Sequence, residues 1–262
     1  MKILVTGDLH YALKQFDWLL QVADDFDLVC IVGDLLDVAS AVPIKAQAVV
    51  VGTYLSKLGQ KSQVVVCSGN HDLMQPGNRA EREADWLRDL PHMGTAGDGT
   101  CLDIGTTRIS AFPWWDGPDT RNGIRTQIAR DAVGSFATWI WLYHAPPSES
   151  PTAWGGHRYF GDTTVREWIE TYQPDFVLSG HVHQAPFVRE GGWADRLGKS
   201  WIFNMGQQPG ASPSHIILNT HAREALWFSI EGAEMLDLDQ SAALPRPLTT
   251  LPRWLKAEDH PA

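Results

Sequence analysis

Short apolar runs that end in small or polar residues, separated by stretches of helical period, constrain this chain more than any other feature. Residues 3–6 run into Gly7-Asp8, residues 28–32 into Gly33-Asp34, and residues 64–67 into Ser68-Gly69-Asn70. Between them, residues 16–26 and 44–58 carry apolar side chains three and four apart, the spacing of amphipathic helices. Strands alternating with helices give a parallel sheet, because parallel neighbours need a crossover between them. The pattern continues with strands over 138–143, ending at His144, and 176–178, ending at Ser179-Gly180-His181; helices are expected over 124–136 and 164–172.

Between residues 101 and 111 the turn Gly105-Thr106-Thr107 marks a hairpin, and after residue 185 strands dominate, over 200–204, 215–219, 225–230 and 234–236. The expected fold is therefore α/β: a four-layer α/β/β/α sandwich of two mixed sheets flanked by helices. The first half of the chain is expected to form one sheet, and the later strands a second, more antiparallel one. Residues 1–239 form one expected domain, and the Pro-rich, polar segment 240–262 an arm or frayed tail.

Composition narrows the class. Lys and Arg number 21 against 31 Asp and Glu, a formal charge of −10, so long-duplex nucleic acid is a disfavoured partner. Cys30, Cys67 and Cys101 form no CxxC pair, which argues against both a disulfide framework and a thiolate zinc site. No apolar run reaches the roughly 18 residues of a membrane crossing, and a signal peptide is not expected from residues 1–8. The reducing cytoplasm is the expected location.

The strand ends deliver Asp8 and His10, Asp34 and Asp37, Asn70 with His71 and Asp72, His144, and His181 and His183. Ligands bind at that edge of open α/β sheets, where rigid strands hold variable loops. Carboxylates and imidazoles converging there suit transition-metal dications, and they are too many for one tetrahedral ion. A carboxylate can bridge two cations about 3.5 to 4 Å apart, and Asp34, from the middle of the array, is the natural bridge. In Asp8-Leu9-His10 and His181-Val182-His183, extended backbone at i, i+2 spacing would point both polar side chains one way and the apolar one to the core. Asn70 offers a neutral oxygen that limits negative charge.

These motifs resemble, in order and type, those of the calcineurin-like metallophosphoesterases. The family's sequence of Asp-x-His, Gly-Asp-x-x-Asp, Gly-Asn-His-Asp/Glu, a lone His and Gly-His-x-His stands here as Asp8-Leu9-His10, Gly33-Asp34-Leu35-Leu36-Asp37, Gly69-Asn70-His71-Asp72, His144 and Gly180-His181-Val182-His183. Phe203-Asn204-Met205-Gly206 resembles the family's later Asn-x-Gly turn. The resemblance implies one metal on Asp8, His10, Asp34 and His183, and another on Asp34, Asn70, His144 and His181. It implies dimetal-dependent hydrolysis of a phosphate ester, with a hydroxide between the ions attacking phosphorus in line. His71 would stabilise or protonate the leaving oxygen, and Asp72 would hydrogen-bond His71 or a ligand. The metals would be manganese, iron, zinc, cobalt or nickel. Asp37 stands where purple acid phosphatases carry a ligand Tyr, which argues against that branch.

A small phosphodiester or nucleotide is the expected substrate. A phosphomonoesterase, including a protein phosphatase, would use the same residues, and a non-catalytic metal-binding scaffold is the reading of another class. Three further pairs of residues admit two readings each. Asp37 and Asp72 are either helix N-caps or partners of the site. Trp114 and Trp115 either stack on substrate or cap the core, and His157 and Arg158 are either phosphate contacts or solvated loop residues.

Overall fold

Ile3, Leu4 and Val5 are apolar in succession, so the strand that contains them needs cover on both faces and neighbours on both edges. In the computed structural model, which describes residues 1–74, 80–88, 95–240 and 243–255, it has all of these. Strand β1 (Lys2–Thr6) pairs in parallel with β2 (Leu28–Val32), which continues to β3 (Gln63–Cys67) and the short β4 (Thr95–Ala96). Helices α1 (Leu13–Val22) and α2 (Ile44–Leu58) make the crossovers, and the one-turn α3 (Asp85–Arg88) precedes β4.

A second sheet follows in the chain. It comprises β5 (Cys101–Ile104), β6 (Thr107–Ala111), β7 (Thr138–Leu142), β8 (Phe176–Ser179), β9 (Ala194–Leu197) and β10 (Ser200–Asn204), in the order β5-β6-β7-β8-β10-β9. Helices α4 (Pro118–Asp131) and α5 (Thr163–Tyr172) connect its parallel strands. Then β11 (His215–Asn219), β12 (Glu224–Ser229), β13 (Gly232–Asp237) and β14 (Arg246–Pro247) return to the first sheet as an antiparallel meander on the free edge of β1.

The four-layer α/β/β/α sandwich is thus present, but the strands are divided differently from expectation. Only β9 and β10 of the later strands join the second sheet; the strands from β11 onward complete the first, because β1 is apolar on both faces and is stable only as an interior strand. Side chains such as Val5, Cys30, Ile140 and Phe203 fill the space between the sheets. A second cluster, including Leu4, Phe16, Val51 and Leu55, lies under α1 and α2, and a third, including Ile128, Trp141 and Ile169, under α4 and α5.

Helix α4 begins six residues earlier than its apolar period indicates, at Pro118 rather than residue 124. Pro118 lacks an N–H that would need a partner, and the Glu81 carboxylate accepts the N–H groups of Asp119 and Thr120 at 2.7 and 2.8 Å. That cap comes from a distant segment, so local sequence does not announce it.

Of the expected tail, residues 241–242 and 256–262 lie outside the described residues. Within it, Arg246–Pro247 pairs with β13, and Leu248, Trp254 and Leu255 pack on the cluster beneath α1 and α2. Among the described residues, no helix is long and apolar enough to cross a membrane.

Candidate metal centre

The carboxyl ends of β1, β2 and β3 in one sheet and of β7 and β8 in the other lie along one edge of the sandwich. The chain turns sharply at each. Asp8, His10, Tyr11, Asp34 and His181 have φ of 51°, 42°, 58°, 50° and 66°. Side chains other than glycine occupy this left-handed region at a cost of order 1–3 kcal/mol each, and such residues cluster at functional sites. The extended i, i+2 geometry expected for the two Asp/His-x-His pairs is therefore not what is found. Leu9 and Val182 are buried as expected, but the left-handed turns at Asp8, His10 and His181 aim the polar side chains.

The glycines beside them allow close approach. A Cβ on Gly33 would lie 2.3 Å from His144 Nδ1, and one on Gly69 would lie 2.2 Å from Asp34 Oδ1. No other residue type fits either place without displacing a candidate ligand.

Three groups of donors result among the described residues, and Asp34 belongs to two of them. Asp8, His10, Asp34 and His183 form one, Asp34, His144 and His181 the next, and His10, Asp37 and His71 a more exposed third; within each, the donor atoms lie within 4.8 Å of one another. In the first, His183 Nε2 is 3.0 Å from Asp8 Oδ1 and 3.1 Å from His10 Nε2. Asp34 Oδ2 stands 3.7 Å from His10 Nε2 and 3.2 Å from His144 Nε2, between the groups. Its Oδ1 accepts the His71 N–H at 2.9 Å, while the Asp8 carboxylate accepts the His181 N–H at 3.1 Å.

Burial favours the neutral form of each group, and the neighbours decide the net effect. Burial raises the Asp34 carboxyl, but His144 outweighs it and holds Asp34 well below the usual carboxylate range. Burial likewise lowers His144, yet Asp34 and Asp8 bring it up to about 9. His181 falls to about 4 through burial and the charge of His144. The two buried carboxylates thus draw positive charge to this edge, and a dication bound there would take the place of the proton on His144.

The residues fit a pair of such ions. Asn70 Oδ1 is buried with no hydrogen-bond partner among the described residues, a state that ordinarily costs free energy, and the buried His144 Nε2 faces carboxylate oxygens of Asp34 and Asp8 at 3.2 and 3.7 Å. The opposite nitrogen, His144 Nδ1, donates to the Val32 carbonyl at 2.8 Å, which leaves the Nε2 lone pair for coordination. Mixed nitrogen and oxygen donors without thiolate accommodate several transition dications.

His71 stands beside the first group, its ring 4.6 Å from that of His10 and nearly perpendicular to it. Asp72 does not reach it. Its carboxylate oxygens accept the N–H groups of Leu36 at 2.9 Å and Gly69 at 2.8 Å, so this fully buried residue braces the Asp34 and Asn70 loops together. Burial and the nearby Asp34 raise its carboxyl. The acid that faces His71 is Asp37, with Oδ1 3.9 Å from His71 Nδ1.

Trp114 lies against the ligand edge, its ring 5.1 Å from His181 and 5.7 Å from His144, and it stacks parallel to Tyr143. Trp115 instead donates to Asp162 Oδ2 at 2.7 Å. His157 faces the Gly155 carbonyl and Arg158 lies over Phe160. Asn204 donates to the carbonyls of Thr152 and Val182, fixing the His181–His183 segment from below.

Sequence reasoning missed the Val32 carbonyl, a backbone group that no residue type signals. It also missed the Asp98–Ser68–Trp114 brace, in which Asp98 Oδ1 accepts the Ser68 N–H at 2.8 Å and Ser68 Oγ accepts the Trp114 N–H at 2.9 Å. Gln47 was legible in principle, as a polar residue on the apolar stripe of α2.

Residues 1–185 match a family model described as calcineurin-like phosphoesterase. Among solved structures, TT1561 of Thermus thermophilus is similar at 16% identity and a TM-score of 0.56, covering 94% of this chain and 98% of that one. YfcE, a phosphoesterase from E. coli, is similar at 15% identity and a TM-score of 0.41, covering 94% and 99%. Vacuolar Protein Sorting 29 from Cryptosporidium parvum is similar at 15% identity and a TM-score of 0.40, covering 94% and 95%. No curated protein sequence matches significantly.

Proposed function

The chain belongs to the calcineurin-like phosphoesterase family, and from that premise we propose that it is a two-metal hydrolase of phosphate esters, acting on a small phosphodiester or nucleotide. The observation that carries the reading is the place of Asp34, whose Oδ2 lies 3.7 Å from His10 Nε2 and 3.2 Å from His144 Nε2. One carboxylate thereby joins two donor groups, as a bridging ligand must.

In this reading Asp8, His10, Asp34 and His183 hold one ion, and Asp34, Asn70, His144 and His181 hold the other. Manganese, iron, zinc, cobalt and nickel all suit the donors. Bound there, the ions supply Lewis acidity toward phosphoryl oxygens and lower the pKa of water from 15.7 toward about 7. Val32 keeps His144 in the tautomer that ligates. His71, outside both donor sets, offers a ring N–H to the leaving oxygen. Asp72 acts on it only by bracing the loops. Residues 1–239 are the working unit in this proposal, with 240–262 an arm laid on it.

Metal-stripped protein reconstituted in turn with each of these ions, and assayed on bis-p-nitrophenyl phosphate beside p-nitrophenyl phosphate, tests the reading. Faster, metal-dependent cleavage of the diester is expected. Faster monoester cleavage would make the protein a phosphomonoesterase. Tight ion binding without turnover of either ester would count against an enzyme and favour an interaction scaffold.

A further inference from the structure

Helix α2 presents Gln47, Ala48, Val51, Leu55 and Leu58 to the core, and Gln47 is the polar exception, at 0% exposure. A buried primary amide must find partners for its oxygen and its N–H groups. Gln47 finds them in a single loop. Its Oε1 accepts the Asp37 N–H at 2.8 Å, and its Nε2 donates to the carbonyls of Asp37 at 2.9 Å and Val42 at 2.7 Å.

That loop has little else to hold it. Val38 and Val42 are 64% and 37% exposed, so apolar burial does not fix its course. Yet it is the segment that touches His71. The Val38 N–H donates to His71 Nδ1 at 3.4 Å, and Asp37 Oδ1, which also accepts the Ala39 N–H at 2.8 Å, stands 3.9 Å from the same nitrogen. A backbone N–H can only donate, so the nitrogen it faces at 3.4 Å accepts; Asp37 Oδ1, which could use an Nδ1–H, stands beyond hydrogen-bond distance at 3.9 Å. The hydrogen of the neutral ring then sits on Nε2.

We infer that Gln47 is a positioning residue for His71: by clamping the backbone of residues 37–42 it holds the Val38 N–H against Nδ1 and so fixes the tautomer that presents Nε2–H to the leaving oxygen. This rests on the reading of His71 given above and deepens it. Other residues would also fill the space beneath the loop. Gln47 differs from them in directing all its hydrogen bonds to the loop beside His71.

The test is a ¹⁵N-histidine NMR spectrum of zinc-loaded protein at a pH where the ring is neutral, with the His71 signals assigned from their loss in His71→Gln. Wild type is expected to show Nε2–H almost alone. Gln47→Leu should shift His71 toward the mixture of tautomers of free histidine, with bound zinc unchanged. Val38→Pro, which removes the N–H while keeping the Gln47 side chain, should do the same and guards against misfolding of the first variant. In turnover, both variants should slow an alkyl phosphate ester on the order of tenfold more than its p-nitrophenyl counterpart, since only the poorer leaving group depends on Nε2–H.

An unchanged His71 tautomer in both variants would overturn the inference, whatever the activity. Wild type that shows the tautomer shift with both variants but hydrolyses no ester would sustain the inference and sink the proposed function instead.

Discussion

The two donor groups share Asp34 but differ in nearly everything else. The one built on His144 is closed: the His144 side chain is 0% exposed, its Nδ1 is committed to Val32, and Trp114 lies along its edge. The one built on His10 and His183 is open, with side chains 15% and 36% exposed and their Nε2 atoms facing each other. A closed donor group holds its geometry before a cation arrives, whereas an open one exchanges ligands with solvent. The difference teaches that one edge of a sandwich can carry a fixed cradle and an accessible face together.

The sharpest way to break the comparison is to remove what the groups share. Asp34→Asn keeps the shape but loses the charge between them. Metal analysis should show at least one ion lost, and activity should fall by more than the roughly 10- to 100-fold typical of an outer-sphere change. A variant that kept both ions at normal activity would dissolve the bridge and the comparison with it.

Next in size is the contrast itself. His144→Ala should weaken binding of its ion and lower thermal stability, because it leaves a cavity and frees the Val32 carbonyl in a buried place. His183→Ala should weaken its own ion but leave the melting temperature of the metal-free protein nearly unchanged. Titration calorimetry and thermal melts of the pair decide this, and equal melting losses would mean that the open group is as structural as the closed one.

His71→Ala sharpens the comparison by sparing both groups. Both ions should stay bound while turnover slows on the order of 10²-fold or more, most for poor leaving groups. Parallel loss of metal and activity would place His71 among the ligands.

An effect on stability rather than turnover lies outside either group, at Asp98. Burial raises its carboxyl to about 6, so the folded state holds that proton more tightly than the unfolded chain does. Its contribution to stability is therefore full below the ordinary carboxyl value of 3.8 and lost as pH rises toward 6. Asp98→Asn, which keeps an oxygen for the Ser68 N–H, should gain on wild type by up to about 3 kcal/mol across that window. Urea unfolding of both proteins at the two ends of the window would show it, and parallel stability curves would refute it.

The strand ends, and which residues stand on them, were legible because alternation of apolar runs with helical period fixes a parallel sheet and its carboxyl edge. The partition of His181 and His183 between groups follows from left-handed turns, which a rule for extended strands does not contain. The return of β11–β14 to β1 was hidden for a related reason. Antiparallel hairpins specify their pairing with each other, but not which free edge they join. Asp72 misled because its neighbour in sequence, His71, is not its neighbour in hydrogen bonding.

The placement of β1 between β2 and β11 has a consequence for how the protein is made. Lys2 pairs with Asn219, and Val5 with Ile216, so during synthesis this strand meets one of its two partners only after all the strands between them have been made. Pairings so distant in sequence form slowly. Until residues 215–219 emerge, Ile3, Leu4 and Val5 form a bare apolar edge, the kind that recruits strands from other chains. Whatever shields that one strand until β11 arrives would protect the whole edge of candidate ligands, because Asp8 hangs from it.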